Sequence, residues 1–174
     1  MILNPLLLAY LVSLFFLPKE KKKLVVGQIT YSAQYCQGAK PTEELLKELR
    51  TPKAFAGKKF FIRKGALNNL KAPIIASVVT DSSGKFKVSL NNGIYCVVSE
   101  NKKDKSIYNQ YIMEHSKKTK DYAAVDMQCL NNWIKTPDFS FEVKKASVTM
   151  DHNYVSPCPW ETLPCIQFTG PLPP

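Results

Sequence analysis

The sequence is poor in the residues on which many catalytic sites depend. It has two histidines, His115 and His152, and seven glycines in 174 residues. It contains no Gly-rich phosphate loop, no G-x-S-x-G segment and no H-E-x-x-H segment, which excludes the common nucleotide-binding, serine-hydrolase and zinc-protease motifs. Closely spaced Cys and His pairs of the zinc type are also missing. The sequence therefore assigns no catalytic residue, no cofactor and no metal ligand.

Acidic residues are few relative to basic ones. There are 14 Asp and Glu against 24 Lys and Arg, so the formal net charge is +10. Such a charge can attract nucleic acid, anionic lipid or acidic glycans. The lysines are scattered along the chain, however, and no nucleic-acid-binding motif is present. We therefore expect a solvated basic surface and no nucleic-acid partner.

Long apolar runs are missing as well. The longest, Leu6 to Leu17, has about 12 residues, whereas a membrane-spanning helix needs roughly 20. Residues 1–18 carry no charge and resemble the apolar region of a secretory signal peptide, although no basic residue precedes it and four lysines follow. We expect 1–18 to be a signal peptide, with an uncleaved membrane anchor as the alternative, and the remainder to be extracytoplasmic. Membrane contact is expected only through this segment.

Five cysteines are many for a cytosolic chain of this size and favour an oxidising compartment. They allow two disulfides and one free thiol in 15 arrangements. Cys158 and Cys165 are nearest in sequence, in a loop stiffened by prolines, and we predict a bridge between them. Cys96 falls in an apolar segment and should be an inert buried thiol.

The segment 80–98 has the most definite pattern in the chain. Residues 81–84, Asp-Ser-Ser-Gly, predict a turn in which Gly84 takes a positive φ. The following residues alternate between apolar and polar, which predicts a strand with one buried face. Asn91-Asn92-Gly93 predicts a hairpin into a second, buried strand over 94–98.

This pattern resembles the carboxypeptidase regulatory-like domains, which share the transthyretin-like (prealbumin-like) seven-stranded sandwich. The signature residues are Thr80, Asp81, Gly84, Phe86, Gly93 and Tyr95. The resemblance covers about 24–100 and implies a mostly β, antiparallel β-sandwich of about seven strands with inserted short helices. It implies little about function, because one sandwich hosts many roles. Transthyretin-like hydrolases of hydroxyisourate carry a Y-R-G-S tetrapeptide that this sequence lacks.

The chain also resembles a set of uncharacterised bacterial exported proteins. It shares with them Y-C-x-G-A-x-P, starting at Tyr35, and a closing T-G-P-x-P-P, starting at Thr169. The resemblance implies an extracytoplasmic location and no particular chemistry.

Residues 19–174 are expected to form a single domain. Strands are predicted over 24–31, with a bend or bulge at Gly27, and over 58–64, 73–80, 139–143 and 148–154. Helical insertions are predicted over about 41–51, with Thr42 as N-cap, and about 104–135, where helical spacing runs over 107–115 and 122–133. The proline-rich tail, 155–174, is expected to lie extended along the surface.

Two groups of side chains are candidate sites. Tyr154, Trp160 and Phe168 could form an exposed aromatic patch for a partner protein or glycan, or Trp160 could close the open end of the sandwich. Met150, His152 and Cys158 could line a soft-metal site, although we expect Met150 in a core and His152 facing water.

The sequence favours a non-catalytic, exported β-sandwich module with a binding or structural role in the cell envelope. Its partner would be an envelope protein or a glycan. One alternative is a metal-binding or redox protein that uses Cys36, Cys129, His152 or the terminal cysteines. The other is an enzyme whose site is assembled from residues distant in sequence.

Overall fold

The computed structural model describes residues 21–144 and 146–171. The predicted signal peptide or anchor, 1–18, lies outside these residues. Within them, no helix combines the length and the apolar character needed to cross a membrane.

The described residues form eight strands, three α-helices and two short 3₁₀ helices, Glu100–Lys102 and Pro159–Glu161. The strands are β1 (Lys23–Ala33), β2 (Lys53–Ala54), β3 (Lys59–Lys64), β4 (Ala76–Val79), β5 (Lys85–Leu90), β6 (Gly93–Ser99), β7 (Phe139–Val143) and β8 (Val148–Ser156). The helices are α1 (Glu43–Arg50), α2 (Lys105–His115) and α3 (Met127–Lys135). The predicted strands and both helical insertions are thus present, and the two-residue β2 was not predicted.

The strands form two four-stranded sheets. In the first sheet, β1 pairs with β8 along one edge and with β5 and β2 along the other. The second sheet has the order β4-β3-β6-β7. The predicted β-sandwich is therefore confirmed at the level of a mostly β, two-sheet architecture.

The pairing of the first and last strands corrects the prediction of a purely antiparallel sandwich. β1 and β8 run parallel in continuous register from Val25↔Val148 to Ala33↔Ser156. The two strands are far apart in sequence, and no local turn fixes their relative direction. The alternating pattern that predicted each strand is the same for parallel and antiparallel neighbours.

The predicted hairpin at Asn91-Asn92-Gly93 is wrong. β5 pairs with β1 in the first sheet, whereas β6 pairs with β3 and β7 in the second. The turn therefore carries the chain across the sandwich, and the Tyr95 hydroxyl donates to the Asn91 carbonyl oxygen (2.9 Å). An Asn-Gly turn is compatible with a crossing between sheets as well as with a hairpin, so the dipeptide alone does not decide between the two.

The main core lies between the two sheets. Its buried residues come from both inner faces and are Val25, Ile29, Phe60, Ile62, Val78, Phe86, Leu90, Tyr95, Val97 and Val143. The expected bend at Gly27 is not formed, because pairing continues through this residue on both sides of β1. Gly27 instead makes room for an aromatic ring, since an added Cβ would lie 2.3 Å from the ring of Phe86.

The predicted turn at 81–84 is confirmed. The Asp81 Oδ1 accepts hydrogen bonds from the Ser83 amide (2.9 Å), the Ser83 hydroxyl (2.8 Å) and the Lys85 amide (2.9 Å). These hydrogen bonds lower the pKa of the Asp81 carboxyl, and the bond from the Lys85 amide contributes most to the shift. Gly84 has a φ of +77°, in the left-handed region that favours glycine.

Gly84→Ala is expected to lower the free energy of unfolding by about 3 kcal/mol, which combines left-handed strain with steric overlap. The new Cβ would lie 2.3 Å from the Ile29 carbonyl oxygen, and this oxygen accepts from the Phe55 amide. Gly57→Ala is the matched control, because Gly57 has a φ of +67° and no atom within 4 Å of an added Cβ. Urea denaturation of both variants measures the difference, and equal losses would contradict the steric argument.

Helices α2 and α3 form a helical layer with its own small core. Thr42 caps α1 as predicted, by accepting from the Leu45 amide (3.2 Å). The helix predicted over 122–133 begins later, because Asp126 caps α3 through the Gln128 and Cys129 amides. The buried residues of the second core are Val125 from the segment before α3, Leu130 from α3 and Ile166 from the tail. Helices α2 and α3 and the tail thus share one small core.

Candidate functional site

Two disulfides cross-link distant segments, one between the residues just after β1 and β8 and one between α3 and the tail. Cys36 bonds to Cys158, and Cys129 in α3 bonds to Cys165 in the tail. Cys96 is a free thiol buried in β6, as predicted, and burial raises its pKa. The expected pattern of two disulfides and one thiol is therefore present.

The predicted Cys158–Cys165 bridge is not formed. The parallel register places Ala33 opposite Ser156, and Cys36 and Cys158 follow these residues by a few positions. The Asp126 amide donates to the Cys165 carbonyl oxygen (2.9 Å), which places Cys165 beside the start of α3. The tertiary pairing therefore overrides closeness in sequence.

Two buried polar side chains attach the loop after β3 to the helical layer. The Asn68 Nδ2 donates to the carbonyl oxygens of Lys102 (2.9 Å) and Ile134 (2.8 Å), and Asn68 is 2% exposed. Arg63 in β3 donates through Nε to the Ala72 carbonyl oxygen (3.0 Å) and through a terminal nitrogen to that of Lys103 (2.6 Å). Buried hydrogen bonds of this kind rigidify the segments that they join.

A buried ion pair joins the segment before α2 to the segment after α3. The Lys102 Nζ lies 2.9 Å from the Asp138 Oδ1, and the two side chains are 8% and 9% exposed. The Nζ also donates to the Thr136 carbonyl oxygen (3.1 Å) and lies 4.7 Å from the centre of the Trp133 ring. The Ser99 amide donates to the Asp138 Oδ2 (2.6 Å), so both charges are satisfied.

A groove of about 550 Å³ lies between the loop after β3, the start of α2 and the end of α3. Three exposed lysines line it, namely Lys71, Lys105 and Lys135. The apolar lining includes Leu67, whose side chain is 65% exposed. The Tyr108 hydroxyl donates to the Asn131 Oδ1 (2.7 Å) across the two helices. This volume is typical of ligand sites, and the polar groups come from three separate segments.

The aromatic residues proposed from the sequence do not form one patch. The Tyr154 ring lies inside the sandwich, with its centroid 5.9 Å from that of Phe60 and 5.5 Å from that of Phe55. Trp160 and Phe168 line a different cavity, of about 610 Å³, beside the Cys129–Cys165 disulfide. Trp160 is not among the side chains that pack on the sandwich core, so it does not close that core.

The metal-site alternative loses most of its ligands in this structure. The cysteines at 36, 129, 158 and 165 are in disulfides, so they offer no thiolate to a metal. Within the described ranges, no three His, Cys, Asp or Glu residues come together to hold a metal ion. Met150 packs on the sandwich core as expected.

His152 does not face water as expected. Its ring stacks on Phe139, with centroids 4.5 Å apart, and meets the Tyr154 ring edge-on at 4.6 Å. Burial lowers the pKa of this imidazole, and the nearby Asp138 carboxylate opposes the shift. His152 is therefore a half-buried member of the sandwich interior.

We expect the protein to lose stability as the pH falls below about 6.5, the ordinary pKa of histidine. The lowered pKa of His152 means that the unfolded chain binds this proton more readily than the folded chain does. His152→Gln should therefore flatten the decrease in Tm between about pH 7.5 and 5.5. Calorimetry at several pH values measures the slopes, and equal slopes in the parent protein and the variant would contradict this role.

Comparison with known proteins finds no matching family model and no matching curated protein. The shaft pilin SpaA from Lactobacillus rhamnosus GG is 13% identical, with a TM-score of 0.42, over 78% of this chain and 51% of that chain. The Bacillus anthracis TIE protein is 13% identical, with a TM-score of 0.37, over 78% of this chain and 17% of that chain. A DUF3823 family protein from Parabacteroides merdae is 12% identical, with a TM-score of 0.32, over 79% of this chain and 46% of that chain. This chain thus spans about half or less of each of these structures.

Proposed function

We propose that this protein is a non-catalytic, extracytoplasmic binding module, with a partner in the cell envelope. The observation that carries the proposal is the groove lined by Lys71, Lys105 and Lys135, whose walls are held by buried polar contacts and a disulfide. A site that is already formed binds with less loss of conformational entropy than a site that must order on binding.

The disulfides support the extracytoplasmic part of the proposal. Cys36–Cys158 joins residues 122 positions apart, and Cys129–Cys165 joins α3 to the tail. Structural disulfides of this kind form and persist in oxidising compartments. The apolar segment 1–18 agrees with export.

Labelling of intact host cells tests the location. A membrane-impermeant amine reagent should modify the exposed lysines of this protein while a cytoplasmic control protein stays unlabelled. Recovery of the protein only in the soluble cytoplasmic fraction, unlabelled and with reduced cysteines, would contradict the proposal.

A broad hydrolase screen tests the non-catalytic part. The purified protein should show no turnover above the level of a His152→Gln variant. Turnover that is lost in this variant, or in a His115→Gln variant, would favour the alternative of an enzyme.

A further inference from the structure

We infer that the groove binds a short acidic segment of a partner protein, with carboxylates against its lysines and an apolar side chain against its leucines. This inference rests on the proposed binding function and names the ligand class of the same groove.

The charge of the groove is one-sided. Lys71 lies in the loop after β3, Lys105 begins α2 and Lys135 ends α3, so three distant parts of the chain bring cations to one opening. Among the described residues, no Asp or Glu lines this groove, and none of the three lysines takes part in a salt bridge. The nearest acidic residue in sequence, Asp104, already accepts from the Ser106 and Ile107 amides as the cap of α2. An anionic ligand would therefore meet three positively charged side chains around one opening.

The apolar part of the lining favours a peptide over a glycan. Leu67 and Leu70 flank the buried Asn68, whose two hydrogen bonds fix the course of this loop. Leu67 is consequently held 65% exposed at the groove and not folded into a core. An acidic glycan supplies carboxylates and hydroxyl groups, whereas a peptide supplies carboxylates together with an apolar side chain that removes Leu67 from water.

Buried hydrogen bonds already hold the walls of the groove in place without a ligand. Asn68 joins the loop to the turn before α2 and to the end of α3, while Arg63 holds the loop again at Ala72. A volume of about 550 Å³ suits a segment of a few residues. Binding would then need little rearrangement of the backbone.

Fluorescence anisotropy with a labelled peptide of alternating Glu and Leu tests the inference. The groove variant K71Q/K105Q/K135Q is compared with K117Q/K118Q/K120Q, which removes the same charge from exposed lysines in the segment after α2. We expect the groove variant to weaken binding at least about tenfold and the control variant less than about threefold, since groove contacts add to general attraction. Leu67→Ser should weaken the Glu–Leu peptide about fivefold and leave a poly-Glu peptide unaffected. Thermal unfolding establishes that each variant is folded.

Equal weakening in the two triple variants would overturn the inference, because it would show attraction to net charge alone. Tighter binding of a polyuronate than of the Glu–Leu peptide would overturn it in favour of a glycan. No binding of the peptide to correctly disulfide-bonded, exported protein would overturn the inference and leave the proposed function standing. Recovery from the cytoplasm with reduced cysteines would instead overturn the proposed function itself.

Discussion

Replacement of Cys36 and Cys158 by serine is expected to lower the free energy of unfolding by about 4–5 kcal/mol, measured by urea denaturation without reductant. The bridge joins residues 122 positions apart, and it closes a long loop in the unfolded chain. The entropy that a disulfide removes from the unfolded state grows with loop length. Loss of the Cys36–Cys158 bridge should therefore cost more than loss of the Cys129–Cys165 bridge. The Cys129–Cys165 bridge spans 36 positions and should contribute about 1 kcal/mol less.

Single variants make the same experiment a test of connectivity. Cys36→Ser and Cys158→Ser should each cause nearly the full loss, and the double variant should add little to either. Cys96→Ala, which leaves both bridges intact, should cost about 1 kcal/mol as a small deletion in a buried strand. A Cys158–Cys165 bridge would instead make Cys158→Ser and Cys165→Ser lose the same free energy of unfolding and leave Cys36→Ser without effect. That result would contradict the structural assignment.

Lys102→Met is expected to lower the free energy of unfolding by about 3 kcal/mol. It would leave the Asp138 carboxylate 9% exposed and without its cationic partner, although the hydrogen bond from the Ser99 amide remains. Removal of one member of a buried ion pair costs more than the pair itself contributes, because the remaining charge stays buried without its partner. A Lys102→Met/Asp138→Asn variant should therefore recover part of the loss.

The exposed pair Lys144–Glu142 provides the matched control. Its side chains are 75% and 49% exposed, and its atoms lie 3.0 Å apart, close to the 2.9 Å of the buried pair. Lys144→Met should change stability by less than about 1 kcal/mol, as is usual for surface pairs. Equal losses for Lys102→Met and Lys144→Met would show that burial of the Lys102–Asp138 pair has no energetic consequence.

Local patterns predicted local structure well. The Asp-Ser-Ser-Gly turn at 81–84 and the Thr42 cap of α1 depend on contacts within a few residues, and both are formed. The alternating residues of β5 identified its buried face, because this period of two is a property of the strand itself. The class of fold follows from such signals taken together.

Relations between distant segments could not be predicted in the same way. The alternation of apolar and polar residues does not show whether β6 returns beside β5 or crosses to the other sheet. It also does not show in which direction β8 runs beside β1. The disulfide connectivity depends on these pairings, since Cys36 and Cys158 meet only through the parallel register of β1 and β8.

The candidate site was missed for a similar reason. Lys71, Lys105 and Lys135 are at least 30 residues apart and looked like scattered surface charge. Their convergence depends on Asn68, which bonds to the turn before α2 and to the end of α3. A single buried Asn between exposed neighbours carries no sequence signal that separates it from an ordinary loop residue.

Peptide mapping of the unreduced protein, isolated from its own host after alkylation of free thiols, is the most direct test of the central claim. That claim is the proposed disulfide-stabilised module outside the cytoplasm, whose binding groove lies between the loop after β3, α2 and α3. We expect cross-linked peptides that join Cys36 to Cys158 and Cys129 to Cys165, with Cys96 alkylated only after unfolding. Five alkylated thiols, or a peptide that joins Cys158 to Cys165, would contradict it.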